Sequence, residues 1–177
     1  MTKLVTHSGR IMDLSMPLLS AICIEDIAHH LARIGRFNGA TDRFYSVAEH
    51  SVYCSRIVTG GRARQFQALM HDATEAYVGD CVSPLKHMLP EFKKIEEDIW
   101  ISIALKFGMR FQLYGAVHLA DQIAYVTERT QLITSRPMSE DPDISDFEGI
   151  EPHALPLPIG QDPEELFLRR FKELRKP

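Results

Sequence analysis

Apolar residues recur every three to four positions along most of this chain, a spacing that excludes a sheet-dominated fold, whose strands alternate at a period of two. The pattern is plainest over residues 62–78, where Phe66, Leu69, Met70, Ala73 and Tyr77 share one face and Gly79 stands just past the end. It predicts a single amphipathic helix. Similar stripes predict helices from Ile24 to about Gly35, with Glu25 and Asp26 in the first turn, and over residues 45–58, 91–107 and 115–134. The last helix, residues 162–176, has the fullest boundary signals: Asp162 as N-cap, Pro163 at the first position, then Glu164 and Glu165 against the dipole. The expected fold class is all-α. Weak alternation over residues 3–14 around Ser8-Gly9 adds a short N-terminal hairpin. Pro137, Pro142, Pro152, Pro156 and Pro158 bar regular helix from residues 135–161 and predict a long surface loop.

The 177 residues, 45% of them hydrophobic, suit one domain spanning 1–177 with its core at 24–134. A net charge of -4 gives no general cationic field, which argues against polymeric DNA or RNA as a partner and leaves small anionic substrates. Cys23, Cys54 and Cys81 have no CxxC spacing and read as free thiols. No run approaches the roughly 20 apolar residues of a membrane span, and residues 1–10 lack a signal-peptide core. A soluble, cytoplasmic protein is the expectation.

Against this helical background four residues carry the candidate chemistry. His50 is in register with Val47, Ser51, Cys54 and Val58, on the buried stripe of its helix. His71, Asp72 and Glu75 share one arc of the next, beside Leu69, Met70 and Ala73. Asp121 is in line with Val117, Ala120, Ala124 and Glu128, small residues that would leave a carboxylate little water. Taken singly, His50 reads as a core histidine bonded to a carbonyl, the His71–Glu75 pair as an exposed helix face, and Asp121 as a helix-to-helix hydrogen-bonding group. Together they offer two imidazoles and two carboxylates, a set that suits a divalent cation such as Mn, Fe, Co, Ni or Zn with positions left for water. Phe37 and Trp100 suit either a base-stacking role or the core.

The isolated histidine of "SVAEHS", the doublet of "MHDATEAYVGD" and the later aspartate of "HLADQIAYVTE" resemble the HD superfamily of metal-dependent phosphohydrolases. The block "LMHDATEAYVGDCVSPLKHML" is similar to its nucleotide-hydrolysing branch, which includes YfbR-type 5′-deoxynucleotidases and small phage-borne deoxynucleoside triphosphate triphosphohydrolases. The likeness runs over residues 24–128. It implies an HD-type helical bundle with metal ligation by His50, His71, Asp72 and Asp121, and the metal it implies is Mn, Co, Zn, Ni, Fe or Mg. Glu75 and Asp80 match the acidic pair beside the metal, and Arg36 and Lys86 take phosphate-facing roles. Pro84 belongs to the base pocket by the same likeness. A cytoplasmic homo-oligomer, dimer or hexamer, is implied as well.

The expected activity is hydrolysis of 5′-deoxynucleotides by metal-activated water. The "RFNGATDRFYSVAEHS" run leans toward triphosphates, with release of intact triphosphate; monophosphates are the alternative. A non-catalytic nucleotide sensor is the alternative of another class.

Overall fold

The computed structural model describes residues 2–175. Its architecture is all-α apart from one hairpin: β1 (Lys3–Val5), β2 (Ile11–Asp13), then α1 (Ile24–Leu31), α2 (Val47–Ile57), α3 (Arg62–Met70), α4 (Glu75–Val78), α5 (Ser83–His87), α6 (Pro90–Phe107), α7 (Gly115–Leu132) and α8 (Pro163–Arg175). Lys176, the last residue expected in the C-terminal helix, lies outside the described residues. Among those described, no helix is long and apolar enough to cross a membrane. The three cysteines are free.

The helix α2 lies at the centre and packs against α3, α7 and α8. Val47, Ala48 and Val52 join a cluster with Ile27, Leu31, Leu69 and Phe167. Tyr53, Cys54 and Ile57 join a second with Tyr45, Ala120 and Ala124. A helix with clusters on both sides has no wet face, and of its residues only Arg56 is exposed. The helix begins two residues later than its periodicity suggests because Ser46 closes a capping box. Its hydroxyl accepts from the Glu49 amide at 3.2 Å, and Glu49 Oε2 accepts from the Ser46 amide at 2.7 Å.

Two segments depart from the helical reading, and both shape the site. Residues 62–78 form two helices. The His71 Nδ1–H donates to the Ala68 carbonyl at 2.8 Å, and Ala73 and Glu75 bond back three residues, to Met70 and Asp72, both at 3.0 Å. A side chain has taken a helical acceptor, and the chain winds tighter through residues 71–74. Likewise α1 stops at Leu31, short of Gly35. Gly35 bridges to Ser46 in antiparallel fashion, with Val47 N–H donating to the Ile34 carbonyl at 3.0 Å and Arg36 N–H to the Tyr45 carbonyl at 2.9 Å. Phe37 and Asn38 then turn the chain at φ of 54° and 51°. Left-handed backbone at a phenylalanine costs on the order of 1–3 kcal/mol and persists where neighbours enforce it. The short α5, with Pro84 in its first turn, has no counterpart in the periodicity.

The hairpin pairs Leu4 with Met12, turns at Gly9 and buries Met12 completely. Asp26 fastens it to α1. Its buried carboxylate accepts from the Thr6 hydroxyl, the Ser8 amide and the Ser8 hydroxyl, all at 2.7 Å. Burial alone would raise its pKa, but hydrogen bonds from Cys23, Ser8 and Thr6 outweigh it and bring the value down to about 2. The folded value lies below the unfolded 3.8, so the stabilisation is complete above about pH 4 and is lost as pH falls toward 2. It amounts to about 2 kcal/mol. Asp26→Ala should lower unfolding free energy by about 2–3 kcal/mol at pH 7, with Thr6 and Ser8 left unpaired. The loss should shrink in urea titrations at pH 2.5; a deficit that is the same at both pH values would exclude this linkage.

The proline-rich segment at residues 135–161 contains two short 3-10 turns and wraps α7 as an ordered surface excursion. Arg129 grips Asp141 through two bonds of 2.6 Å, the Tyr53 hydroxyl donates to the Leu155 carbonyl at 2.9 Å, and Leu157 is buried.

Candidate metal centre

Two helices and one turn bring the donors together: α2 carries His50, the tight turn after α3 carries His71 and Asp72, and α7 carries Asp121. His50 Nε2 stands 3.3 Å from His71 Nε2, 3.4 Å from Asp72 Oδ2 and 3.1 Å from Asp121 Oδ1. His71 Nε2 is 3.3 Å from Asp72 Oδ2 and 3.7 Å from Asp121 Oδ1. Donors sharing one cation at about 2.0–2.2 Å stand roughly 3.0–3.5 Å from one another. The spacing therefore fits a common ion.

The far side of each ring sets its tautomer. His71 Nδ1 faces a backbone carbonyl, which can only accept, so the proton sits on Nδ1 and the Nε2 lone pair is free. His50 Nδ1 faces Glu128 Oε1 at 2.8 Å, inside the protein, with the same result. Two lone pairs then meet two carboxylates, an arrangement that calls for positive charge. The electrostatics of the rings express the same demand. Burial and Arg36 oppose a charge on His50, yet Cys54, Glu128 and Asp121 raise its pKa well above the ordinary value. Burial opposes it on His71, and Asp72 and Asp121 prevail. Partial desolvation on the side facing the rings would raise Asp121, while the two imidazoles hold it well below the usual carboxylate range.

Cys54, one turn after His50 and fully buried, also belongs to the cluster: His50, Cys54, His71 and Asp121 each offer a donor atom, all within 4.8 Å of one another, and the group could hold a metal ion. Its sulfur is 3.5 Å from His50 Nε2 and 3.9 Å from Nδ1, which places it beside the ring and off the axis of the Nε2 lone pair. Burial pushes the thiol up to about 12. Asp72 Oδ2, close to both Nε2 atoms, has the better position.

Asp121 differs from its sequence reading. Its side chain is 43% exposed, because the small residues of α7 pack on one flank only, and the centre opens to solvent there. On another side a cavity of about 340 Å³ is lined by His71, Asp72, Glu75, Lys86, Trp100 and Phe111. Glu75 is 6% exposed, and its Oε2 has no partner. Burial, then Asp72 and Asp80, push its pKa well above the usual value. Asp80, half-buried just after Gly79, is raised by burial and by Asp72. Lys86 lines the cavity but is paired with Glu96 at 2.8 Å. Pro84 is exposed and does not line it. The Trp100 ring is fixed by its N–H donating to the Phe111 carbonyl at 2.7 Å, and Phe37 packs on Tyr125 at 5.3 Å.

Arg36 reaches the centre from just after the Gly35 bridge, with its side chain 13% exposed and Nη2 3.3 Å from Glu128 Oε2. Burial works against its charge; Glu128, Asp72, Asp121 and Glu75 overcome that and keep it protonated. Its buried Nε has no partner.

No family model matches the chain. It is 48% identical over 111 residues to Uncharacterized protein YfdR of Escherichia coli, a match covering 63% of this chain and 61% of that protein. It is 34% identical over 137 residues to Uncharacterized protein RCAP_rcc00048 of Rhodobacter capsulatus, covering 71% of this chain and 70% of the relative. The chain belongs to the RCAP_rcc00048 family. Neither relative's name states an activity, so for this member of the RCAP_rcc00048 family the chemistry has to come from the site.

Two residues of this RCAP_rcc00048 relative's site escaped the sequence reading as functional groups. Glu128 is completely buried and accepts from His50, from the Tyr45 hydroxyl at 3.1 Å and from Arg36. Its one trace in the sequence is a position two helical turns after Asp121. Cys54 had the i, i+4 spacing to His50, a spacing that puts two side chains on one helix face.

Proposed function

We propose that the chain is a metal-dependent phosphohydrolase of the HD type, acting on 5′-deoxynucleotides and preferring deoxynucleoside triphosphates. The observation that carries this reading is the meeting of His50, His71, Asp72 and Asp121 within 3.1–3.7 Å beside a buried, unpaired carboxylate and a buried guanidinium. Two imidazoles in the donor set favour Mn, Fe, Co, Ni or Zn over Mg. A divalent cation held there would supply Lewis acidity toward a phosphoryl oxygen and toward water.

The remaining groups have separable tasks. Glu75, with its raised pKa and open Oε2, takes the proton from the attacking water. Asp80, also raised, returns a proton to the leaving oxygen. Arg36 spends one nitrogen on Glu128 and keeps Nε for an acceptor, which a phosphoryl oxygen provides. Glu128 holds His50 in the tautomer that presents Nε2 and offsets the charge of Arg36. Lys86 adds a cation at the cavity wall once Glu96 shares it with the substrate.

The test is to load the protein with Mn or Co, incubate it with each dNTP and each dNMP, and identify products by phosphorus NMR and chromatography. Triphosphate plus deoxynucleoside from a dNTP is expected. Orthophosphate from a dNMP would move the substrate to monophosphates. Nucleotide binding with no product of either kind would replace the enzyme by a sensor.

A further inference from the structure

At the end of α3 remote from His71, the surface folds into a cleft of about 340 Å³ whose wall includes Arg62, Arg110, Arg175, Phe66 and Tyr114. The arginines come from three places, the first residue of α3, the loop before α7 and the end of α8. No carboxylate lines the cleft among the described residues. In a chain of net charge -4, that gathering of one sign runs against the overall balance.

Two of these three cations are held by ring faces. Arg110 lies 4.6 Å over Tyr114, Arg64 lies 5.5 Å over the same ring, and Arg175 lies 5.6 Å over Phe66. A face contact fixes a guanidinium through its plane and leaves the N–H edge for acceptors. Arg110 spends one donor on Gln112 Oε1 at 3.2 Å, and Arg175 one on the Phe107 carbonyl at 3.0 Å. Neither pairs with a carboxylate among the described residues, so most of the five donors on each remain for a ligand. The loop that presents Arg110 is anchored. Gln67, 1% exposed, donates to the Arg110 and Gln112 carbonyls at 3.2 and 3.0 Å and accepts from the Tyr114 amide at 2.8 Å.

We propose that this cleft is a second anion site that takes a polyphosphate chain, either free or as the tail of a nucleotide. Convergent guanidinium forks suit an acceptor with several oxygens on successive phosphorus atoms better than a single carboxylate. Arg62 and His71 stand at opposite ends of the helix, roughly 14 Å apart along its axis at 1.5 Å per residue. The site is therefore separate from the metal centre and needs no metal.

Calorimetric titration with tripolyphosphate, on protein stripped of metal in EDTA, tests this. The wild type and Asp72→Ala should bind with affinities within about twofold of each other, and Arg110→Gln and Arg175→Gln should each weaken binding about tenfold. The substitutions sit on separate elements, so a folding fault in one, seen by circular dichroism, leaves the other to read. A non-hydrolysable nucleoside triphosphate that binds more tightly than tripolyphosphate, with the same arginine dependence, marks the nucleotide as the occupant; equal binding marks the phosphate chain alone. Absence of binding to the wild type, full binding in both arginine variants, or loss in Asp72→Ala alone would overturn the proposal. The titration reads a metal-free cleft, so failure of the hydrolase reading would leave this result intact.

Discussion

Asp72→Ala should leave the protein without tightly bound metal and without turnover, while its helix content at 222 nm stays that of the wild type. Asp72 Oδ2 lies 3.4 Å from His50 Nε2 and 3.3 Å from His71 Nε2, so its removal takes an anionic donor from the point where both lone pairs meet. Even outer-shell partners of metal ligands cost about 10–100-fold in affinity when removed, so loss of a direct donor should exceed about 100-fold. The fold has little reason to fail, since Asp72 is absent from both apolar clusters and its side chain is 19% exposed. Metal content after gel filtration, measured by emission spectroscopy, gives the decisive number. A variant that keeps its metal would transfer the fourth position to Cys54, and loss of metal on adding Cys54→Ser would establish that transfer. Undiminished turnover would remove Asp72 from the site altogether.

Much of the architecture could be read from local periodicity. Residues 91–107 and 115–132 form helices close to their expected bounds, and Asp162 caps α8 as its sequence indicates, accepting from the Glu165 amide at 2.8 Å. Departures arise where a side chain competes with the backbone or a distant segment intrudes. The 62–78 stripe keeps its apolar register through residues 71–74, but periodicity carries no sign that His71 takes the Ala68 carbonyl. Nothing near Ile34 announces that residues 45–47 supply the hydrogen bonds a longer α1 would have made.

The site divides along the same line. The His71-Asp72 doublet sits in a short, dense block and could be picked out locally. Glu128 acts through His50, seventy-eight positions away in the chain, and a single buried glutamate on a helix does not reveal such a partner. Asp121 was placed on the correct helix, but its openness depends on what packs against α7, which one helix's pattern does not contain. Residue types and spacing thus indicate which groups can ligate. The three-dimensional packing decides which imidazole nitrogen is free and which carboxylate faces water.

Glu75→Gln should separate holding the metal from using it. Glutamine has the same shape and can occupy a site 6% exposed without opening a cavity, so folding and metal content should stay near wild type. It cannot accept a proton, and loss of a positioned general base costs about 10²–10⁴ in kcat. The carboxyl is suited to that task by its surroundings. Burial, Asp72 and Asp80 raise its pKa, Arg36 and Lys86 oppose them only in part, and Oε2 has no partner to compete with water. Because the base must be ionised to act, kcat of the wild type should fall as pH drops through this raised pKa, and the residual rate of the variant should lack that limb. Three outcomes bear on the assignment. Rate lost together with metal would make Glu75 a ligand. Rate retained, or a variant that keeps the acidic limb, would shift the proton acceptor to Asp80, the other raised carboxyl beside Asp72.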